Sequence, residues 1–115
     1  MIKLHINSEA FDNSIHNLEL SNKDWILISD IFKIPFNQLS ASYCNQSEVK
    51  RWLRKLEDDV HYFYISATNS YIKVNTGEDE FEYTGVESIR LNNVILSLKS
   101  ILNNAIKLNL YINWN

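Results

Sequence analysis

The chain has 115 residues, 45% of them apolar, a length that suits one domain around a single core, and we expect residues 1–115 to form one globular unit. Its 11 basic and 14 acidic side chains leave a formal net charge of −3, which disfavours nucleic acid and anionic membranes as partners. The single cysteine, Cys44, excludes an internal disulfide and any zinc site built from cysteines.

The N-terminal third predicts a β-hairpin followed by a helix. Apolar and polar residues alternate over residues 2–7 and again before Ser21, and residues 12–14 between them are typical of a turn. Ser21, with Asp24 three positions on, is an N-cap pattern, and an apolar helical face then continues until the only proline of the chain. A strand over residues 25–29 remains the alternative for this segment.

The middle of the chain contains the clearest helix. Residues 36–46 are predicted to be a loop, and Ser47 is the expected N-cap of a helix whose apolar stripe continues to Val60. Three consecutive acids, residues 57–59, are unfavourable at the negative end of a helix dipole. Either the helix stops near Leu56, or these carboxylates serve another purpose.

A β-meander follows, with strands expected near residues 61–66, 71–75 and 80–84. With Phe63, Ile65, Ile72, Val74, Phe81 and Tyr83 pointing inward, the two-residue period of a strand places the intervening side chains outward. The outward set then consists of Tyr62, Tyr64, Tyr71, Lys73, Glu80 and Glu82.

The C-terminal part predicts a long helix and a last strand. An apolar stripe after Gly85 indicates a helix that ends near residues 103–104, and strict alternation over residues 106–114 predicts a strand. Ile89 and Leu96 fall on the far side of the helix from its stripe. They mark either a surface for self-association or a helix that begins later than assumed.

The predicted order ββααβββαβ is that of an α+β protein, with a mostly antiparallel β-sheet and helices packed on one of its faces. The other face stays open to solvent or to a partner, so function is expected there.

Residues 76–83 are the most informative segment, because they combine four acids and two aromatic side chains without a base. Exposed tyrosines give rigid contact area and carboxylates orient a basic partner, which indicates a recognition surface. The alternative is that tyrosine simply favours strands and the acids keep an exposed edge soluble. The predicted partner-binding residues are Glu78, Asp79, Glu80, Glu82, Tyr62, Tyr64 and Tyr71.

Signals for chemistry are weak. Asp58, Asp59 and His61 form the one local cluster suited to a metal ion or to acid–base work, and Cys44 has no histidine near it in sequence. The two glycines are isolated, so a glycine-rich phosphate loop is excluded and no cofactor is expected. The basic face at residues 50–55 is offset by acids on either side of it, Glu48 and residues 57–59, and indicates a solvated helix surface.

These patterns predict a small acidic protein-binding module that occludes a basic partner, for example the cleft of a nuclease-like toxin. In size, acidity and lack of catalytic motifs the chain resembles the broad class of bacterial immunity or toxin-neutralising proteins, a likeness of class and not of motif. The alternative is a small enzyme or ligand-binding domain that uses Asp58, Asp59 and His61. The lone cysteine and the absence of a long apolar run favour a cytoplasmic location.

Overall fold

The computed structural model describes residues 1–7, 17–34, 42–66 and 69–114. Within these ranges the helices are α1 (Asn22–Phe32), α2 (Gln46–Asp59) and α3 (Gly85–Leu108). The strands are β1 (Ile2–Asn7), β2 (Asn17–Leu20), β3 (Ser42–Cys44), β4 (Val60–Tyr64), β5 (Ser70–Asn75), β6 (Glu80–Thr84) and β7 (Tyr111–Trp114).

The α+β class and the antiparallel pairing are confirmed, but the strands divide between two sheets. One sheet has the order β2-β1-β7-β3 and the other the order β4-β5-β6, and all their pairings are antiparallel. Strand β3 lies in the segment that was predicted as a loop, and it pairs with the distant β7. The predicted turn at residues 12–14 lies outside the described residues.

Helix α3 connects the two sheets. It contacts β1, β2 and β7 of the first sheet and β5 and β6 of the second. Its buried side chains recur every three or four residues, as a helix packed along one side requires: Leu91, Ile95, Leu98, Leu102 and Ala105. Burying one such leucine contributes about 1.5–3 kcal/mol, so α3 holds much of the shared core.

Aromatic side chains form the part of the core beneath α1. Phe32 and Trp52 stack with ring centroids 4.5 Å apart, and Trp114 lies 5.4 Å from Trp25 and 5.5 Å from Trp52. All three tryptophans belong to the core, because each is at most 4% exposed. The helix predicted for α1 is confirmed, and the Ser21 hydroxyl accepts the predicted capping hydrogen bond from the Asp24 N–H at 3.1 Å.

The ends of α2 differ from the prediction. Its N-cap is Asn45, whose side chain accepts a hydrogen bond from the Glu48 N–H, and not Ser47. The helix does not stop near Leu56 but continues to Asp59, and Val60 begins β4 directly. The chain therefore passes from helix to strand without a turn, which sets the orientation of the strand that follows.

The end of α3 differs too, because the helix continues four residues beyond the predicted stop. It ends at Leu108, and the C-cap residue Asn109 has a left-handed backbone (φ 55°) and donates its N–H to the Ala105 and Ile106 carbonyls. The last strand begins only at Tyr111, so Ile106 belongs to the helix. The alternation of apolar and polar residues over 106–110 was misleading, because the apolar residues on one face of a helix also recur at short spacing.

Within the described ranges, no helix is both long enough and apolar enough to cross a membrane.

Candidate partner-binding site

The outer face of the β4-β5-β6 sheet is the candidate site. On the inner face of this sheet Val60, Ile72 and Val74 are buried in the core. Strand pairing places every second residue on the opposite side, away from the helices. This outer face consists of His61, Phe63, Tyr71, Lys73, Asn75, Glu80, Glu82 and Thr84.

The predicted orientation of β4 is wrong by one residue. Tyr62 pairs with the buried Ile72 and packs against the core, whereas Phe63 pairs with Tyr71 on the outer face and is 41% exposed. Val60 is held in the core at the end of α2, and the two-residue period counted from it places Tyr62 and Tyr64 on the inner side. Tyr64, at the end of the strand, is nevertheless 65% exposed.

The same correction applies to Ile65, which was predicted to point inward. It is 67% exposed and lines a shallow cavity of about 330 Å³ next to Tyr71 and Thr84 of the outer face. For β5 the predicted orientation agrees with the structure, since Ile72 and Val74 are buried and Tyr71 and Lys73 lie on the other side.

One end of the outer face is aromatic. Phe63 and Tyr71 stack with their ring centroids 4.8 Å apart, and the His61 ring lies 6.5 Å from that of Phe63. Aromatic stacks of this kind are worth about 0.5–1.5 kcal/mol, which favours this arrangement of the two rings. The result is an apolar platform that remains accessible to solvent.

The other end of the outer face is charged. The Lys73 ammonium lies 3.6 Å from a Glu80 oxygen and 3.5 Å from a Glu82 oxygen, so the acids of residues 76–83 do have a base, supplied by the neighbouring strand. The charges of Glu80 and then Glu82 raise the pKa of Lys73 above its ordinary value. One base against these two acids leaves this end of the sheet negative.

The β5–β6 turn extends the negative charge beyond the sheet. Gly77 has a positive φ of 90°, and the turn is closed by hydrogen bonds from the Gly77 N–H to the Asn75 side chain and from the Thr76 N–H to the Asp79 carbonyl. Glu78 and Asp79 are exposed on this turn. The turn is also tied to α1, because the Lys33 ammonium donates a hydrogen bond to the Thr76 carbonyl.

A second charged cluster, absent from the sequence analysis, joins α3 to α1. Arg90 donates two hydrogen bonds to the Asp24 carboxylate, at 2.8 and 3.1 Å, and two more to Glu87, at 2.6 and 3.2 Å. The hydrogen bonds from Arg90 lower the pKa of Glu87. The pKa of Tyr83 is raised, mainly by burial of its hydroxyl and to a smaller extent by the charges of Glu87 and Asp24. Because the Asp24 carboxylate is buried and paired with Arg90, we interpret this cluster as a structural joint between α1 and α3.

The residues proposed for chemistry are not brought together. No group of three His, Cys, Asp or Glu side chains suited to a metal ion occurs in the described part of the chain. His61 lies on the outer face beside Phe63, and Asp58 is exposed on α2. Cys44 lies on β3, but its side chain is outside what the structure describes.

One basic residue of α2, Arg51, has a structural use. Arg51 donates a hydrogen bond to the Phe32 carbonyl at 3.3 Å, at the negative end of the α1 dipole.

On α3, Val86, Ile89 and Leu96 are exposed by 84%, 42% and 54%. Because α3 begins at Gly85, a late helix start does not explain the last two, and their use as a self-association surface stays a prediction.

Comparison of the chain with protein-family models, with curated proteins and with solved structures gave no match.

Proposed function

We propose that this chain is a protein-binding module of the inhibitor or immunity type, which occludes a basic surface of its partner with the outer face of the β4-β5-β6 sheet. A cytoplasmic nuclease-like toxin is the kind of partner that this surface would fit, because a cleft that binds nucleic acid is lined with Lys and Arg. The observation that carries the proposal is the placement of an exposed aromatic stack beside an excess of carboxylates on one sheet face.

The aromatic end supplies the contact area that binding needs. Interface hot spots are enriched in aromatic residues that lose their water on binding, and Phe63 and Tyr71 already share one orientation. A platform that is ordered before binding loses little side-chain entropy when a partner covers it. We therefore assign the anchor role to Phe63 and Tyr71, in place of Tyr62 and Tyr64.

The charged end supplies the selectivity for a basic partner. The four acids Glu78, Asp79, Glu80 and Glu82 outnumber the two bases beside them, Lys73 on β5 and Lys33 at the end of α1, which leaves about two uncompensated negative charges along the hairpin. Such a field accelerates the encounter with a basic surface and disfavours acidic ones, and it weakens as salt is added.

The test is an affinity capture with the tagged protein at low salt, followed by mass spectrometry, with three variants run beside the wild type. Phe63→Ser removes the stack, and Glu82→Gln removes a charge from the outer face. Glu19→Gln is the matched control, because Glu19 is an exposed strand residue of the other sheet that also pairs with a cross-strand lysine, Lys3, at 3.8 Å.

The proposal requires a basic protein that is retained in stoichiometric amount and released by salt. Its retention should fall with Phe63→Ser and with Glu82→Gln and should be unchanged with Glu19→Gln. Equal retention by all four proteins, or no retained protein at all, would show that this sheet face does not bind a basic partner.

A further inference from the structure

A second cavity of about 330 Å³ lies between the C-terminal end of α1 and the β5–β6 turn, and the proposed function does not use it. Its volume is at the lower end of the ~300–1,000 Å³ typical of small-molecule sites, which suits a single side chain. The lining residues are Ser29, Asp30, Lys33, Ile34, Thr76, Glu78, Asp79 and Phe81, and we call this cavity the α1–turn cleft.

The α1–turn cleft is built for a cation. Asp30, Glu78 and Asp79 supply three carboxylates, and the cleft opens at the negative end of the α1 dipole, whose last turn contains no basic residue. The hydrogen bonds that close the β5–β6 turn come from backbone groups and from the side chains of Asn75 and Thr76. The turn is therefore ordered without using the carboxylates of Glu78 and Asp79 in these bonds.

An ammonium group already occupies part of this cleft. Lys33, the residue that ends α1, donates a hydrogen bond from its Nζ to the Thr76 carbonyl. The same Nζ lies 2.8 Å from the position that a Cβ on Gly77 would take, so the group sits directly against the turn. The Lys33 ammonium therefore lies in the same cleft as the three carboxylates.

The apolar part of the lining favours one kind of cation. Phe81 is 40% exposed and, with Ile34, forms an apolar wall beside the carboxylates. A guanidinium group stacks on an aromatic face and donates several hydrogen bonds in one plane, whereas an ammonium is a compact, strongly hydrated charge. An arginine side chain therefore matches the wall and the carboxylates together.

We infer that the α1–turn cleft receives an arginine side chain of the partner, which displaces the Lys33 ammonium from the Thr76 carbonyl. The inference rests on the proposed function, because it names one contact that the basic partner makes beside the outer face. It places a specific polar pocket beside the charged end of the sheet, at the opposite end from the aromatic stack.

The test uses N-acetyl-arginine amide as the probe in an NMR titration of the ¹⁵N-labelled protein. Saturable shifts are expected at the amides of residues 30–34 and 76–79, with a Kd of about 1–10 mM, as for a small fragment held by few contacts. The neutral isostere N-acetyl-citrulline amide is expected to produce none. Absence of saturation with the arginine probe, or equal shifts with the citrulline probe, would overturn the inference.

Two variants test the mechanism, each judged folded by its amide spectrum. Lys33→Met keeps a side chain at the same left-handed backbone position but removes the competing charge, so binding should tighten about threefold or more. Asp30→Asn should weaken binding by a similar factor, whereas Asp58→Asn, the same change at an exposed position of α2, should not. Tightening that fails to appear in Lys33→Met would contradict the displacement.

These results are separable from those of the capture experiment. Capture that depends on Phe63 and Glu82 without arginine binding in the cleft would leave the proposed function standing and refute the inference. Arginine binding in the cleft without any captured partner would refute the proposed function and, with it, the assignment of the arginine to a partner, and it would leave only the affinity of the cleft for arginine.

Discussion

The joint between α1 and α3 gives the sharpest stability prediction. In Arg90→Met the guanidinium is lost while most of the aliphatic stem remains, and Asp24, whose side chain is only 8% exposed, keeps a buried carboxylate without its partner. Removing one partner of a fully buried pair costs about 3–5 kcal/mol, and an exposed pair is worth about 0–1 kcal/mol. Arg90 itself is 41% exposed, so solvent screening reduces the cost, and we expect about 2 kcal/mol.

Urea denaturation measures this cost. With an m-value of about 1–3 kcal/mol/M for a small protein, the midpoint should fall by roughly 1 M. A double-mutant cycle with Asp24→Asn should return a coupling energy of about 1 kcal/mol or more, since the two groups share two hydrogen bonds.

Glu87→Gln is the matched control for this cycle. Glu87 also pairs with Arg90, but its side chain is 43% exposed and the pair is local, so we expect a clearly smaller loss than for Arg90→Met. If Arg90→Met cost no more than Glu87→Gln, or if the coupling with Asp24 were zero, the reasoning that the buried carboxylate requires its arginine would be refuted.

Three further predictions follow from the same structure. Tyr62→Ser should lower the free energy of unfolding by about 2–3 kcal/mol and Phe63→Ser by only about 1 kcal/mol, and thermal or urea denaturation giving the opposite order would mean that β4 has the other orientation. The pKa of Glu87 is lower in the folded state than its unfolded value of 4.5, so the pairing of Glu87 stabilises the protein above pH 4.5. This stabilisation is lost as the pH falls through the lower, folded-state pKa. In Glu87→Gln the free energy of unfolding should therefore fall less steeply with acidification than in the wild type. Gly77→Ala should cost about 1–3 kcal/mol, because at φ 90° its Cβ meets the Lys33 side chain, whereas Gly85→Ala, at φ 60° with open space, should cost less in the same denaturation assay.

The orientation of β4 could not be predicted from the alternation of residue types. Residues 60–65 are apolar or aromatic at nearly every position, so alternation contains no information about which side faces the core. Strand β5 was oriented correctly because Lys73 separates Ile72 from Val74 and can only point to solvent. One signal was available for β4: Val60 closes the apolar stripe of α2, and counting from it by two places Tyr62 inward.

The charged contacts of the candidate site were out of reach for a different reason. Lys33 and Thr76 are 43 residues apart, and Asp24 and Arg90 are 66 apart, so no local pattern joins them. The acidic composition of the hairpin was visible, but the base that neutralises part of it, Lys73, lies on the neighbouring strand.

Local and periodic features could be predicted from the order of the amino acids: the type of most elements, the Ser21 cap, the turn at Gly77 and the stripes that fill the core. These depend on interactions within a few residues, which composition and spacing report directly. The tertiary structure alone decided the division into two sheets, the place of β3, the outward side of β4 and the long-range ion pairs. Each of these is set by contacts between segments far apart in the chain, whose free energy depends on how α3 packs between the two sheets and not on any local preference.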